Sequence, residues 1–167
     1  MEITMKKHIA GILFIIFVLL DQFTKYLAKY FLEGKNPIVI LDEIFELRYL
    51  EGGNTGMAFG LFADNTLILS FISLFAFVLL VFLFFRVSKQ PNSFLVSFFI
   101  ILMASGALGN WIDRFFRGYV IDFLYIKLID FPIFNVADCY ITISAFVLFF
   151  IVAFSKETQD NTTRKEV

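Results

Sequence analysis

The chain is poor in residues that support redox, metal or nucleic-acid chemistry. Among its 167 residues there is one cysteine, Cys139, and one histidine, His8. A single cysteine excludes an internal disulfide bond, and one Cys with one His is too few for a cluster of such metal ligands. The net charge is -1 and no basic stripe is present, which excludes the electrostatic surface that nucleic-acid binding requires. Carboxylates are therefore left to perform any polar chemistry, and we expect no metal or cofactor.

Charged residues are also scarce, at 17% of the chain, whereas hydrophobic residues make up 59%. Soluble domains are only about half apolar, so the composition indicates an integral membrane protein. Apolar runs predict four transmembrane helices, at 9–28, 66–85, 94–112 and 138–155. The predicted fold class is an all-α membrane protein with a small β-containing segment outside the bilayer. Residues 1–155 form one membrane domain, and the polar tail 156–167 is predicted to be disordered.

The N-terminal apolar run follows Lys6 and Lys7 and by itself resembles the start of a secretory signal peptide. No small-x-small cleavage site follows, and the helical pattern continues past residue 20, so we predict a retained first span. Asp21 and Lys25 have i, i+4 spacing within it and share one helix face. The spacing is equally compatible with a structural ion pair and with a functional role.

Residues 29–65 differ from the spans in composition. Phe45, Leu47 and Tyr49 alternate with other residues, and this period of two predicts short strands. Gly52 and Gly53 end the alternation, and the glycine-containing segment 54–60 predicts a turn that leads into a short amphipathic stretch. We interpret 29–65 as a small folded unit outside the membrane, here called the cradle.

Positive charge predicts the orientation. One set of short segments carries Lys6, Lys7, Arg86, Lys89, Lys156, Arg164 and Lys165. The longer loops opposite also carry basic residues, but many acids dilute them, so both termini are predicted to be cytoplasmic. Polar helix ends then meet at the outer boundary of the bilayer. These ends contain Asp21, Lys25, Asn110, Asp113, Arg114, Asn135 and Asp138.

Amide hydrolysis by a Cys–His pair is excluded, because the predicted topology places Cys139 and His8 at opposite ends of the bilayer, about 30 Å apart. A Ser–Lys pair of Ser105 and Lys25 is conceivable, but Asp21 one turn away would keep Lys25 charged and therefore a poor base. Two aspartates held close together share one proton, so that one polarises the carbonyl while the other takes a proton from water.

Several aspartates lie on the predicted outer side. Asp21 is near Lys25, and Asp113 is next to Arg114, so we predict that these two acids are ion-paired and structural. Asp130 follows a lysine in a predicted loop and is expected to be solvated.

Asp122 and Asp138 remain, and both are flanked by apolar residues, so they are the predicted dyad. Asp138 also stands at a predicted helix start, where a simple N-cap role is equally possible.

Five ordered motifs resemble those of the bacterial lipoprotein signal peptidase family, also called signal peptidase II. They are Asp21-Gln22-x-Thr24-Lys25, Asn54-x-Gly56-x-Ala58, Gly106-x-x-Gly109-Asn110-x-x-Asp113-Arg114, Val120-x-Asp122-Phe123 and Phe134-Asn135-x-Ala137-Asp138. The resemblance implies an aspartic endopeptidase of the bacterial inner membrane. It removes the signal peptide from prolipoproteins by cutting before a cysteine that carries a diacylglyceryl group, and globomycin inhibits it.

The resemblance also implies residue roles. Asp122 and Asp138 are the implied catalytic dyad, and Asp21 and Lys25 hold the surrounding helices. Residues implied to line or support the site, or present in the same motifs, are Asn54, Gly109, Asn110, Asp113, Arg114, Asn135 and Ala137. The cradle is implied to rest on the membrane and to cover the substrate.

Two other functions fit a polar membrane protein of this size. A small transporter could use the acids as a proton relay, but transport sites lie near the bilayer midplane between repeated halves, and we detect no internal repeat. A structural membrane adaptor would leave the polar motifs of the outer side without a purpose.

Overall fold

The computed structural model consists of four long α-helices and a small sheet. It describes residues 2–56, 65–91 and 93–165, with side chains for 8–56, 65–91 and 93–154. The helices are α1 (Glu2–Leu32), α2 (Thr66–Val87), α3 (Phe94–Arg117) and α4 (Val136–Lys165). Within these ranges, four segments are long and apolar enough to cross a membrane, namely His8–Leu32, Thr66–Val87, Phe94–Arg117 and Val136–Phe154. The predicted fold class is confirmed.

The helices extend further than the sequence predicts. Helix α3 continues to Arg117 because no glycine or proline lies between Gly109 and Gly118. Gly118 has a left-handed φ of 79° and donates its N–H to the carbonyl of Arg114 at 3.1 Å. Helix α4 includes 156–165, in place of the predicted disordered tail. That polar stretch contains neither glycine nor proline to end the helix.

Helix α3 is the centre of the bundle, and α1, α2 and α4 all pack against it. Small residues on α3 permit this close approach, since a Cβ added at Gly106 would lie 2.5 Å from the carbonyl oxygen of Ala137. Ala104 and Ala107 are buried on the same helix. The small-residue stretch therefore brings the start of α4 directly against α3.

The sheet contains the antiparallel strands β1 (Ile38–Leu41), β2 (Phe45–Leu47) and β3 (Leu124–Ile126), in that order. The strands predicted in the cradle are confirmed. Strand β3 and a 3₁₀ turn at Lys127–Ile129 were not predicted, because three residues in a charged connection show no readable period. Part of the predicted turn and amphipathic stretch, 57–64, lies outside the described residues.

The sheet is fixed to the outer ends of the helices. Asn54 and Val120 exchange backbone hydrogen bonds of 2.8 and 2.9 Å, and the N–H of Leu50 donates to the carbonyl of Asp122 at 3.0 Å. Beneath the sheet, a buried apolar cluster joins the end of α1 to this segment through Ala28, Leu32, Tyr49, Ile121 and Phe123. The cradle thus holds the backbone around Asp122 against α1.

Candidate active site

The fold brings Asp122 and Asp138 into one hydrogen-bond network. The side-chain amide of Asn135 donates to Oδ1 of Asp122 at 2.6 Å, and the backbone N–H of Asn135 donates to Oδ2 of Asp138 at 3.1 Å. Asp122 is only 1% exposed, whereas Asp138 is partly exposed. One residue therefore connects the two predicted dyad carboxylates.

Asp122 is held by the extended segment that follows α3. The N–H of Phe123 donates to the carbonyl of Phe134 at 2.9 Å, which aligns this segment with the approach to α4. The amide of Asn54 donates to Oδ2 of Asp122 at 2.7 Å, while Oδ1 of Asn54 accepts the N–H of Gly56 at 2.9 Å. Each carboxylate oxygen of Asp122 thus accepts a hydrogen bond from a fixed side-chain amide.

Asp138 belongs to a reciprocal capping arrangement at the start of α4. Its N–H donates to Oδ1 of Asn135 at 3.0 Å, and its own Oδ2 accepts the N–H of Asn135. The N-cap is therefore Asn135, so the alternative that Asp138 is itself the N-cap is wrong. Oδ1 of Asp138 accepts a further hydrogen bond from the amide of Asn110 at 2.8 Å.

A buried charge cluster lies beside the two aspartates. Lys25 is 0% exposed, and its Nζ lies 3.0 Å from Oδ2 of Asp21, 3.1 Å from Oδ2 of Asp113 and 2.9 Å from Oδ1 of Asn110. The predicted pairing of Asp21 with Lys25 is confirmed. In addition, Oδ2 of Asp113 accepts the N–H of Ile121 at 3.2 Å, so the cluster also fixes the segment that carries Asp122.

Asp113 is ion-paired as predicted, but Arg114 is not its partner. Adjacent residues on a helix point in different directions, whereas Arg117 is one turn away and forms the salt bridge with Asp113. Arg114 instead donates to the carbonyl of Gly56 at 3.1 Å and lies 3.4 Å from Oγ of Ser73. It thereby joins α3 to α2 and to the chain that follows Asn54.

Two small residues make room for the cluster. A Cβ added at Gly109 would overlap Oδ2 of Asp21, so only glycine lets this carboxylate lie against α3. The N–H of Ala137 donates to Oδ1 of Asp21 at 3.0 Å, and Ala137 is fully buried. Asp21 therefore ties α1 to the beginning of α4.

Sequence reasoning assigned no role to Gln22, although it belongs to the first motif. Its amide donates to Oδ2 of Asp21 and to the carbonyl of Gly109, both at 3.1 Å, and to Oδ1 of Asp113 at 3.3 Å. Its position next to Asp21 was the only sequence signal. Ser73 and Arg117 were likewise missed, because their partners lie on other helices or one turn away.

Electrostatics distinguish Asp122 from an ordinary surface aspartate. Burial and, after it, the negative charge of Asp138 raise its pKa from 3.8 to about 7, while the hydrogen bonds from Asn54 and Asn135 and the charge of Lys25 act in the opposite direction. A carboxyl group with such a pKa gains and loses a proton near neutral pH, which suits acid–base chemistry.

The other candidate groups do not form a comparable arrangement. Oγ of Ser105 donates to the carbonyl of Ile101 at 2.8 Å, and Nζ of Lys25 is already occupied by acids and an amide, so no Ser–Lys pair is present. Asp130 is exposed and accepts a hydrogen bond from Tyr125 at 2.6 Å, as expected for a solvated acid. Within the described ranges, no group of three or more His, Cys, Asp or Glu residues is arranged to hold a metal ion.

Comparison with known proteins places the chain in a family. The family model described as "Signal peptidase (SPase) II" matches residues 13–154, a range that contains the whole network around the two aspartates. The chain belongs to the signal peptidase II family. The relationship favours neither a transporter nor a structural adaptor, the two alternatives that composition had left open.

Relatives of this signal peptidase II chain share much of its length. It is 37% identical to a lipoprotein signal peptidase of Caldanaerobacter subterraneus subsp. tengcongensis, with 82% of this chain and 90% of the relative covered. It is 35% identical to a lipoprotein signal peptidase of Clostridium tetani, with 84% and 90% covered.

Solved structures agree. A bacterial membrane enzyme determined by the in meso method at 2.3 Å resolution superposes with a TM-score of 0.75 and 31% identity, covering 92% of this chain and 91% of the other. A second, at 1.9 Å resolution, gives a TM-score of 0.75 and 28% identity, covering 87% and 92%.

Proposed function

We propose that this member of the signal peptidase II family is an aspartic endopeptidase with Asp122 and Asp138 as its catalytic dyad. It removes the signal peptide from prolipoproteins and cuts before a cysteine that carries a diacylglyceryl group. The observation that carries the proposal is the bridge through Asn135, which holds a buried and a partly exposed carboxylate in one network. The pKa of Asp122, about 7, lets the pair hold one proton at working pH.

The reaction uses water as the nucleophile. One carboxylate removes a proton from water, and the resulting hydroxide adds to the carbonyl carbon of the scissile peptide bond. The protonated carboxyl of the other aspartate donates its proton to the carbonyl oxygen. Collapse of the tetrahedral intermediate breaks the C–N bond, and the proton taken from water passes to the leaving amine.

Neighbouring residues hold this pair without reacting. Side-chain amides of Asn54, Asn110 and Asn135 donate to the carboxylates at 2.6 to 2.8 Å and so fix their rotamers. The cluster of Asp21, Lys25 and Asp113 holds α1, α3 and the segment before Asp122 together. Gly109, Ala137 and Arg114 support the same arrangement through close packing and through the bond to Gly56.

The location of the dyad fits a lipid-modified substrate. The aspartates lie where the helices end, and Tyr26 and Tyr30 are exposed on α1 near the level of Lys25, as in the aromatic belt of a membrane interface. We propose that this is the outer face of the bacterial cell membrane, with both termini in the cytoplasm. A diacylglyceryl substrate anchored in the outer leaflet then reaches the dyad laterally between apolar helices.

The proposal is tested with purified protein and two forms of one prolipoprotein, with and without the diacylglyceryl group. We expect cleavage of the lipidated form before its modified cysteine, detected by mass spectrometry, little cleavage of the unlipidated form, and inhibition by globomycin. Asp130→Asn, which alters an exposed aspartate away from the dyad, is the matched control and should remain active. Equal cleavage of both forms would refute the substrate assignment, and no cleavage of either would refute the activity.

A further inference from the structure

The two aspartates have equal numbers of hydrogen bonds but unequal support for a negative charge. Asp122 accepts one bond from Asn54 and one from Asn135, and Asp138 accepts one from Asn110 and one from the N–H of Asn135. The number of donors therefore does not determine which carboxylate is ionised. The two aspartates differ in the positive charge that lies near their hydrogen-bond donors.

Positive charge lies next to both donors of Asp138. Oδ1 of Asn110 accepts a hydrogen bond from the ammonium of Lys25 at 2.9 Å, and Nδ2 of the same amide donates to Asp138 at 2.8 Å. An amide polarised in this way is a stronger donor, because hydrogen bonds in a chain reinforce one another. The other donor, the N–H of Asn135, lies at the positive end of the α4 helix dipole.

Of the two donors of Asp122, Asn135 shares the helix end that supports Asp138, since its Oδ1 accepts the N–H of Asp138 at 3.0 Å, and Asn54 does not. Asn54 accepts a hydrogen bond from the neutral N–H of Gly56 rather than from a cation, and Asp122 follows an extended segment rather than beginning a helix. Asp122 is also 1% exposed, so that water does little to stabilise its charge, whereas Asp138 is partly exposed. Arg114 lies near both aspartates and therefore favours neither strongly.

This inference rests on the proposed function. We propose that Lys25 is a positioning residue that acts through Asn110 to keep Asp138 ionised. Asp138 is then the base and Asp122 is the acid. Asp138 then removes the proton from water while the O–H of Asp122 donates its proton to the carbonyl oxygen of the substrate. In the second half of the reaction, Asp138 returns its proton to the leaving amine. Asp122 recovers its proton from the hydroxyl of the intermediate, and the starting state is restored.

Other charges near Lys25 must be held constant in a test. Nζ of Lys25 faces Asp21 and Asp113, and Asp113 is also paired with Arg117. Removing the ammonium alone would leave an excess of negative charge in a buried place and endanger folding. The combination of Lys25→Met with Asp21→Asn removes one positive and one negative charge together. The single variant Asp21→Asn is its matched control.

The experiment is the pH dependence of kcat/KM for cleavage of the lipidated prolipoprotein. The acid limb of the profile reports ionisation of the base, and the alkaline limb reports loss of the proton from the acid. Relative to Asp21→Asn, the double variant should move the acid limb upward by about one pH unit, a tenfold loss at a fixed acidic pH. Its alkaline limb should move upward by less, because the charge of Lys25 also lowers the pKa of Asp122 but is a minor cause there. If the double variant does not fold, Asn110→Ser removes the amide that connects Lys25 to Asp138, with the ion pairs intact, and should move the acid limb in the same direction.

A variant that acts on Asp122 provides a second control. Asn54→Ser removes a donor that serves Asp122 alone, so it should raise the alkaline limb and leave the acid limb in place. The reverse pattern, in which Asn54→Ser moves the acid limb and the Lys25 variants move the alkaline limb more than the acid limb, would assign the base to Asp122. Lower turnover without movement of either limb would make Lys25 structural only. Failure of the unmodified enzyme to cleave would overturn the proposed function instead, and that result is distinct from the others.

Discussion

Gly109 offers a sharp test of the packing around the buried charge cluster, by substitution with alanine. A Cβ at this position would overlap Oδ2 of Asp21, the oxygen that pairs with Lys25 at 3.0 Å. The carboxylate must then move away from α3, and its bonds to Gln22 and to the N–H of Ala137 lengthen with it. The substitution adds one methyl group, yet it disturbs the contact of α1 with both α3 and α4.

The two energetic effects of Gly109→Ala oppose each other. Alanine favours a helix over glycine by about 1 kcal/mol. Breaking a buried ion pair by removing one partner costs about 3–5 kcal/mol, and a displaced carboxylate approaches that cost. We therefore expect a net loss of roughly 2–4 kcal/mol. At about 2–4 °C per kcal/mol for a chain of this size, the melting temperature falls by roughly 5–15 °C.

The assay is thermal unfolding of detergent-purified protein, and Gly11→Ala is the matched control. Gly11 is also in a membrane helix, but a Cβ there meets nothing within 4 Å. The melting temperature of Gly11→Ala should therefore stay level or rise slightly. An unchanged melting temperature for Gly109→Ala, or an equal loss for both variants, would refute the account of close packing between Asp21 and α3.

Three further predictions concern chemistry, charge and pH. Chelators and Cys139→Ala should leave most cleavage intact, since we assign no role to a metal or a thiol; loss of turnover in a folded Cys139→Ala protein would contradict the aspartic mechanism. Lys25→Ala should lower the melting temperature substantially, because it leaves the buried Asp21 without its cation and Asp113 with Arg117 alone, at a cost of about 3–5 kcal/mol. A melting temperature equal to that of the parent would show that the ion pairs of Lys25 contribute nothing. The pKa of Asp122 is raised from 3.8 to about 7 in the folded protein, so its protonation stabilises the fold fully below about pH 4, and this contribution is lost as pH rises through about 7. Melting temperature measured across that range should therefore fall less steeply for Asp122→Asn than for the parent, and identical slopes would count against the raised pKa.

Much of the fold and of the candidate site could be predicted from the sequence, because the signals were long or chemically selective. Apolar runs of spanning length predicted the four helices, and period-two alternation around Phe45 predicted strands in the cradle. The scarcity of Cys and His left carboxylates as the candidate groups. Apolar neighbours then singled out Asp122 and Asp138, and the structure joins these two through Asn135.

The remaining features depend on contacts between distant parts of the chain. The partner of Asp113 could not be read from adjacency, since Arg114 points away and Lys25 comes from another helix. Strand β3 is too short to show a period and exists only because β2 lies beside it. The role of Gln22, which bonds to α3, likewise requires the helices to be packed first.

The most direct test of the central claim is cleavage of a diacylglyceryl-modified prolipoprotein by Asp122→Asn, Asp138→Asn and the double variant, with melting temperatures recorded beside it. Asparagine keeps the shape of aspartate but cannot exchange the proton, so each single variant should lose nearly all turnover while remaining folded. The double variant should be scarcely worse than either single one, because residues that act as a unit are strongly non-additive. Substantial cleavage by either folded single variant would contradict the shared-proton dyad and redirect attention to Asp21 or Asp113.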